Sequence, residues 1–152
     1  GVIDEVVIRC RYRSGCSGDF WLSKVALGHR NGLSFSVYGD KAAADWYQGI
    51  PEKLNLSYFT GERITLDRAS DMCLTGRRAY NRMTPGHPAG FIEALGNLYD
   101  DVYQGLSCFR QKENYLSEYL YGIEQAKKSI LFFQDVVQSV EAGAWIDARR
   151  LD

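Results

Sequence analysis

The chain has 152 residues, 45% of them hydrophobic and 13% aromatic, and a formal charge of −1. That length suits one domain with a single core, and the apolar and aromatic content excludes disorder by composition. A charge so close to zero gives no electrostatic case for nucleic acid, because a binder carries a basic patch on a basic domain.

From Glu5 to Arg13, Val6, Ile8, Cys10 and Tyr12 alternate with Val7, Arg9, Arg11 and Arg13, the period-two pattern of a half-buried strand. The arginines read as a solvated or subunit-facing surface. After a turn at residues 14–18, a second strand runs over 19–27. Phe20, Leu22 and Ala26 lie on one of its faces and Trp21, Val25 and Leu27 on the other, so a second covering layer is implied. Residues 28–32 form a turn whose Asn31-Gly32 favours positive φ, and Leu33, Phe35 and Val37 alternate in a third strand. Strands two and three are expected to make a hairpin. Ala42 to Tyr47 and Leu54 to Tyr58 give two more short strands on either side of Pro51, and Ile64 to Leu66 a sixth. Residues 68–83 carry no period and read as loop, with a turn of helix near 76–80.

A Pro/Gly-rich loop then leads into the first long helix. Pro88 suits the first helical position, which puts His87 at or beside the N-cap, near free helix N–H groups. Phe91, Leu95, Leu98, Val102 and Leu106 form one apolar stripe, with Glu93, Asn97, Asp100, Asp101 and Gln104 away from it. A second helix follows, with Ile123, Ala126, Ile130, Phe133, Val137 and Val140 recurring at spacings of three and four over most of its length and Gly143 placed to cap it. Trp145 to Ala148 is a short strand or extended tail.

Strands followed by two long helices give an α+β fold: an open, mainly antiparallel sheet with both helices on one face. Trp21, Val25, Leu27 and Tyr38 fall on the other face, too apolar for water, and are expected to form an oligomer interface. The simplest closed solution is a two-fold homodimer. The cysteines at 10, 16, 73 and 108 show no Cys-x-x-Cys pair, and the two histidines have no zinc-ligand spacing, so no metal site is expected. Reduced thiols, no signal peptide and no apolar stretch of membrane-spanning length point to a cytoplasmic protein. The opening Gly-Val-Ile-Asp, without an initiator methionine, reads as a fragment of something longer.

The segment Pro85-Gly86-His87-Pro88, with Gly90-Phe91, Glu93-Ala94 and Leu98-Tyr99, resembles the C-terminal domain of the glucose–fructose oxidoreductase and inositol dehydrogenase family of NAD(P)-dependent oxidoreductases. The likeness covers nearly the whole chain. Gly18 and Ser23, Ala26-x-Gly28, Arg30-Asn31-x-Leu33-Ser34-Phe35 and Gly39 are similar to the family's strand–turn–strand. Trp46-x-Gln48-x-x-Pro51-x-x-Leu54 resembles the next segment, and Gly122 with Ala142-Gly143-x-Trp145-Ile146 resembles the closing helix. The sequence departs from the family at Gly49 and Tyr121, where acidic residues are usual.

The resemblance implies that residues 1–152 are one C-terminal domain of a longer oxidoreductase. A Rossmann domain elsewhere would bind NAD or NADP, while this domain supplies part of the pocket for a sugar, inositol or related polyol and associates through its sheet into a dimer or tetramer. No Gly-x-Gly-x-x-Gly occurs here to cradle a pyrophosphate. The family's lysine in a Glu-Lys-Pro motif and its Asp-x-x-x-His pair are also lacking, so no catalytic residue and no cofactor is expected in this chain. His87 reads either as a polyol contact, since the family uses this loop near its substrate, or as a capping residue. His29, Arg30 and Asn31 read either as turn chemistry or, because the family places that turn beside the cleft, as substrate contacts. Arg82 is a weaker candidate, and Trp21, Trp46 and Trp145 read as core or interface aromatics. The competing reading of the whole chain is a stand-alone, non-catalytic dimerisation or small-ligand-binding module.

Overall fold

The computed structural model describes residues 2–70, 82–115, 117 and 120–148. Six strands and two helices form: β1 (Glu5–Arg11), β2 (Ser17–Ser23), β3 (Ser34–Tyr38), β4 (Ala42–Tyr47), β5 (Leu54–Tyr58), β6 (Arg63–Leu66), α1 (Phe91–Arg110) and α2 (Ile123–Ala142). The fold is α+β with open antiparallel sheets. It is organised as two compact units, Gly1–His29 with Tyr121–Asp152, and Arg30–Leu120. The helix turn expected near residues 76–80 lies outside the described residues.

In the first unit β1 and β2 pair antiparallel from Glu5↔Ser23 to Arg11↔Ser17. The turn closes through Tyr12 N–H to Cys16 O (2.8 Å) and Gly15 N–H to Tyr12 O (2.9 Å), with Gly15 at φ 90°, which a glycine adopts without strain. Val6, Ile8 and Cys10 turn inward and Val7, Arg9 and Arg11 outward, as the alternation requires. Arg9 forks onto Asp19, its direct cross-strand partner, at 2.7 and 2.8 Å. Arg11 lies over the Trp145 ring, 4.4 Å from its centroid. These arginines are therefore engaged within the unit, and residues 145–148 form an extended tail instead of a strand.

Helix α2 starts at Gly122, whose N–H is accepted by Gln125 Oε1, and stops where Gly143 enters the left-handed region at φ 59°. Gly143 caps it as expected. Its enclosed side holds Leu131, Phe132, Asp135, Val136 and Ser139, whereas Ile123, Ala126, Ile130, Phe133, Val137 and Val140 are exposed. The helix is apolar on two sides, and the stripe with the clearer period is the one its own unit leaves uncovered.

The second unit is a meander, β3–β4–β5–β6. Phe35 opposes Trp46 and stacks on it at 5.4 Å, and Leu66 is the most enclosed apolar residue of this unit. The expected hairpin of strands two and three does not form. The ladder of β2 ends at Ser23, not Leu27, and β3 pairs with β4 in a different sheet. A two-residue I′ turn needs positive φ at both central residues; Asn31 has φ 44°, but Gly32 does not join it. Gly32 instead makes room for the Tyr47 ring, 3.3 Å from where a Cβ would stand.

Trp21 sits on β2, Val25 and Leu27 follow that strand and Tyr38 ends β3, and each of the four is exposed. Helix α2 belongs to the first unit and α1 to the second.

Candidate functional site

Helix α1 divides its apolar stripe: Phe91, Leu98 and Leu106 are exposed, while Leu95 and Val102 are half-buried. The residues Glu93, Asn97 and Asp101, spaced by four and expected to face solvent, are half-buried instead. The reason is polar anchoring. Arg82 Nε donates to Asn97 Oδ1 at 2.6 Å, and Arg82 also reaches Asp100 at 3.5 Å. Near the far end of the helix, Tyr115 and Ser117 donate hydroxyl hydrogen bonds to Asp101. Gly105 lets the Tyr115 ring lie on the helix, where a Cβ would stand 3.3 Å from the ring. The hydrogen bonds from Ser117 and then Tyr115 hold the Asp101 carboxyl below its ordinary range, and the same bond pushes the Tyr115 phenol up to about 12.

At the near end the anchor is Arg68, just past β6. Its side chain is only 11% exposed. Nε pairs with Glu52, Nη1 donates to Met83 O at 3.0 Å, Nη2 donates to His87 O at 2.8 Å, and Glu93 Oε2 stands 3.9 Å from Nη1. Glu52 is held in place through its neighbour, because Trp46 Nε1 donates to Pro51 O at 3.0 Å. Pro51 in turn packs against Gly90, where a Cβ would meet Pro51 Cγ at 3.1 Å. Gly90, at φ 146°, is the N-cap of α1. Hence His87 lies three residues before the cap and Pro88 is not the first helical residue, which corrects the expected placement at the helix mouth. Gly90 takes the position because its backbone conformation is one that only glycine reaches readily.

His87 is exposed on this loop. Its N–H and its Nδ1 both meet Thr84 O, at 3.0 and 3.2 Å. A carbonyl only accepts, so this contact assigns the proton to Nδ1 and leaves Nε2 as an acceptor for an outside hydroxyl. His29, in the first unit, sets its ring edge-on to Trp21 at 5.5 Å, and Trp21 Nε1 donates to Glu5 at 2.6 Å. Arg30 and Asn31, in the second unit, are exposed and do not join the Arg68 cluster. Beside that cluster, Phe35, Trp46, Pro51, Glu52, Leu66 and Arg68 line a shallow cavity of about 290 Å³.

Neither long helix offers a dinucleotide a bare N-terminus. Both long helices carry a glutamate in the first turn, Glu93 and Glu124, where a pyrophosphate would need bare N–H groups. Among the described residues no group of three histidine, cysteine or carboxylate side chains could hold a metal, and no helix is long and apolar enough to cross a membrane. Cys10, Cys16 and Cys108 are free thiols, and burial pushes the Cys10 thiol up.

No family model matches the chain. An uncharacterized oxidoreductase, YfiI of Bacillus subtilis, is 24% identical over 95% of the chain, which covers 37% of that relative. The structure of an oxidoreductase from Sinorhizobium meliloti superposes with a TM-score of 0.74 at 30% identity over 94% of the chain and 40% of the neighbour. These matches bear out the resemblance to the glucose–fructose oxidoreductase and inositol dehydrogenase family. An inositol dehydrogenase homolog from Azotobacter vinelandii, complexed with NADH and myo-inositol, adds a TM-score of 0.66 at 26% identity, over 72% of the chain and 29% of that structure. The oxidoreductase homologues are longer in each case, and the chain spans about two-fifths of the first two.

Sequence reasoning missed Arg68 and its carboxylates. Glu93 was visible inside the Gly-Phe-x-Glu-Ala segment but was assigned to the solvated side. Arg68 begins a stretch with no period, and no local signal marks it.

Proposed function

We propose that this chain is the substrate-binding and oligomerisation domain of an NAD(P)-dependent oxidoreductase acting on a sugar, inositol or related polyol, with the dinucleotide domain supplied by the rest of the protein. The supporting observation is the likeness over 94% of the chain to an oxidoreductase of which it spans only 40%, together with an NADH- and myo-inositol-bound neighbour. A domain of this kind carries no hydride chemistry itself. It binds and orients the substrate, and His87 is the residue for that: an exposed Nε2 acceptor on a loop held by its own carbonyl. Asn31, Arg30 and His29 remain further candidates for substrate contact.

The test is kinetic. In the full-length protein His87→Ala is expected to raise KM, or lower kcat, for its polyol by about tenfold, roughly 1.4 kcal/mol of transition-state stabilisation. Unchanged kinetics with a lowered melting temperature would make His87 a purely structural residue. For assembly, the exposed Trp21, Val25, Leu27 and Tyr38 and, separately, the outward stripe of α2 are the apolar candidates for a homo-oligomer contact. Sedimentation at micromolar concentration is expected to show a dimer or tetramer that Leu27→Glu weakens. A clean monomer indifferent to that change would remove the oligomer role.

A further inference from the structure

We infer that Arg68 is a positioning residue for substrate: held by Glu52 and Glu93, its guanidinium grips the carbonyls of Met83 and His87 and thereby sets where the His87 ring stands. The inference rests on the proposed role of His87 in polyol binding and adds a residue that role does not itself require.

The geometry singles out an arginine. Three separate targets, a carboxylate and two carbonyls, lie around one planar group, with Nε, Nη1 and Nη2 each taking one. A lysine ammonium offers the same charge but only as a point, and it cannot span partners set in three directions of one plane. The carboxylates of Glu52 and Glu93 come from opposite sides in sequence, one from the β4–β5 turn and one from the first turn of α1. Their charge keeps the guanidinium from swinging out to water. With Nδ1 tied to Thr84 O and the His87 carbonyl tied to Arg68, the ring has backbone restraint on both sides. Each of the three guanidinium nitrogens of Arg68 has a donor committed to the protein, and through the two carbonyls it acts on substrate by way of the loop.

The experiment uses Arg68→Lys in the full-length protein, which keeps the charge, beside His87→Ala. Two readouts are taken: steady-state kinetics with a polyol substrate, and amide hydrogen exchange over residues 83–87 against the middle of α1. The expected result is a KM raised about tenfold with kcat within about twofold, and faster exchange over 83–87 alone. A fall in kcat and thermal stability with KM unchanged would reduce Arg68 to a structural residue and overturn the inference. So would unchanged exchange over 83–87, or looser exchange without a KM effect while His87→Ala still raises KM. If His87→Ala itself leaves both KM and kcat unchanged, the substrate reading fails and the inference falls with it. The exchange data then show separately whether Arg68 holds the loop.

Discussion

The near and far parts of α1 are anchored by the same kind of chemistry in different surroundings. Near its start, one guanidinium serves two carboxylates and two backbone carbonyls in an enclosed setting, with the Arg68 and Glu93 side chains 11% and 16% exposed. Further along, two hydroxyls serve the Asp101 carboxylate close to water. Charge taken out of water has to be matched, because an enclosed ion left without a partner costs several times more than an exposed hydrogen bond contributes. The start of α1 is therefore expected to be the costlier end to disrupt, and His87 is tied to it through its carbonyl.

The sharpest way to break the comparison is Arg68→Ala. It leaves Glu52 and Glu93 without their counter-charge and two carbonyls without a donor, and is expected to cost about 3 kcal/mol. Urea unfolding followed at Trp46, with Trp21 and Trp145 changed to phenylalanine, reads it; a loss no larger than that of a surface substitution would refute the enclosed-ion account. Gly90→Ala is expected next, at about 2 kcal/mol, since φ 146° is closed to an L side chain and the new Cβ meets Pro51. Smaller still is Glu93→Gln. The Glu52 pairing stays, the longer contact to Glu93 is the one weakened, and the cost is expected to remain within about 1 kcal/mol.

The smallest change belongs to the far cluster and shows itself through pH. The Asp101 carboxyl is depressed, so its contribution is present above the unfolded carboxylate range near 4 and is lost as pH falls through the lower folded value. The Tyr115 phenol is raised, so its contribution is full below the unfolded value near 10 and is lost as pH rises through about 12. The stability gap between the wild-type chain and Tyr115→Phe is thus expected to be flat from about pH 5 to 9 and to close above 10. A gap that varies through neutral pH would contradict this assignment.

What could be read in the sequence followed from local rules. All six strands were visible as alternations or short apolar runs, Gly143 as a helix stop, and the resemblance as a string of short motifs. Pairing was less visible. Asn31-Gly32 looked like a hairpin turn because dipeptides report φ preference without reporting which strand is free to pair. The stripes of both helices were found by period, but that of α2 faces away from its unit and that of α1 is only partly covered, since period alone does not say which of two candidate faces a helix turns inward. Arg68 stands 16 residues from Glu52 and 25 from Glu93, so its role exists only once β6 and α1 are in place.

The proposed contact between the His87 loop and substrate is read by labelling the histidine rings of the full-length protein and titrating its NADH complex with myo-inositol and a panel of related polyols. The His87 ring signals are expected to shift and saturate with the polyol that the full-length protein turns over, and Arg68→Lys to weaken that saturation. Turnover with unmoved His87 signals, or no turnover of any polyol, would contradict that contact.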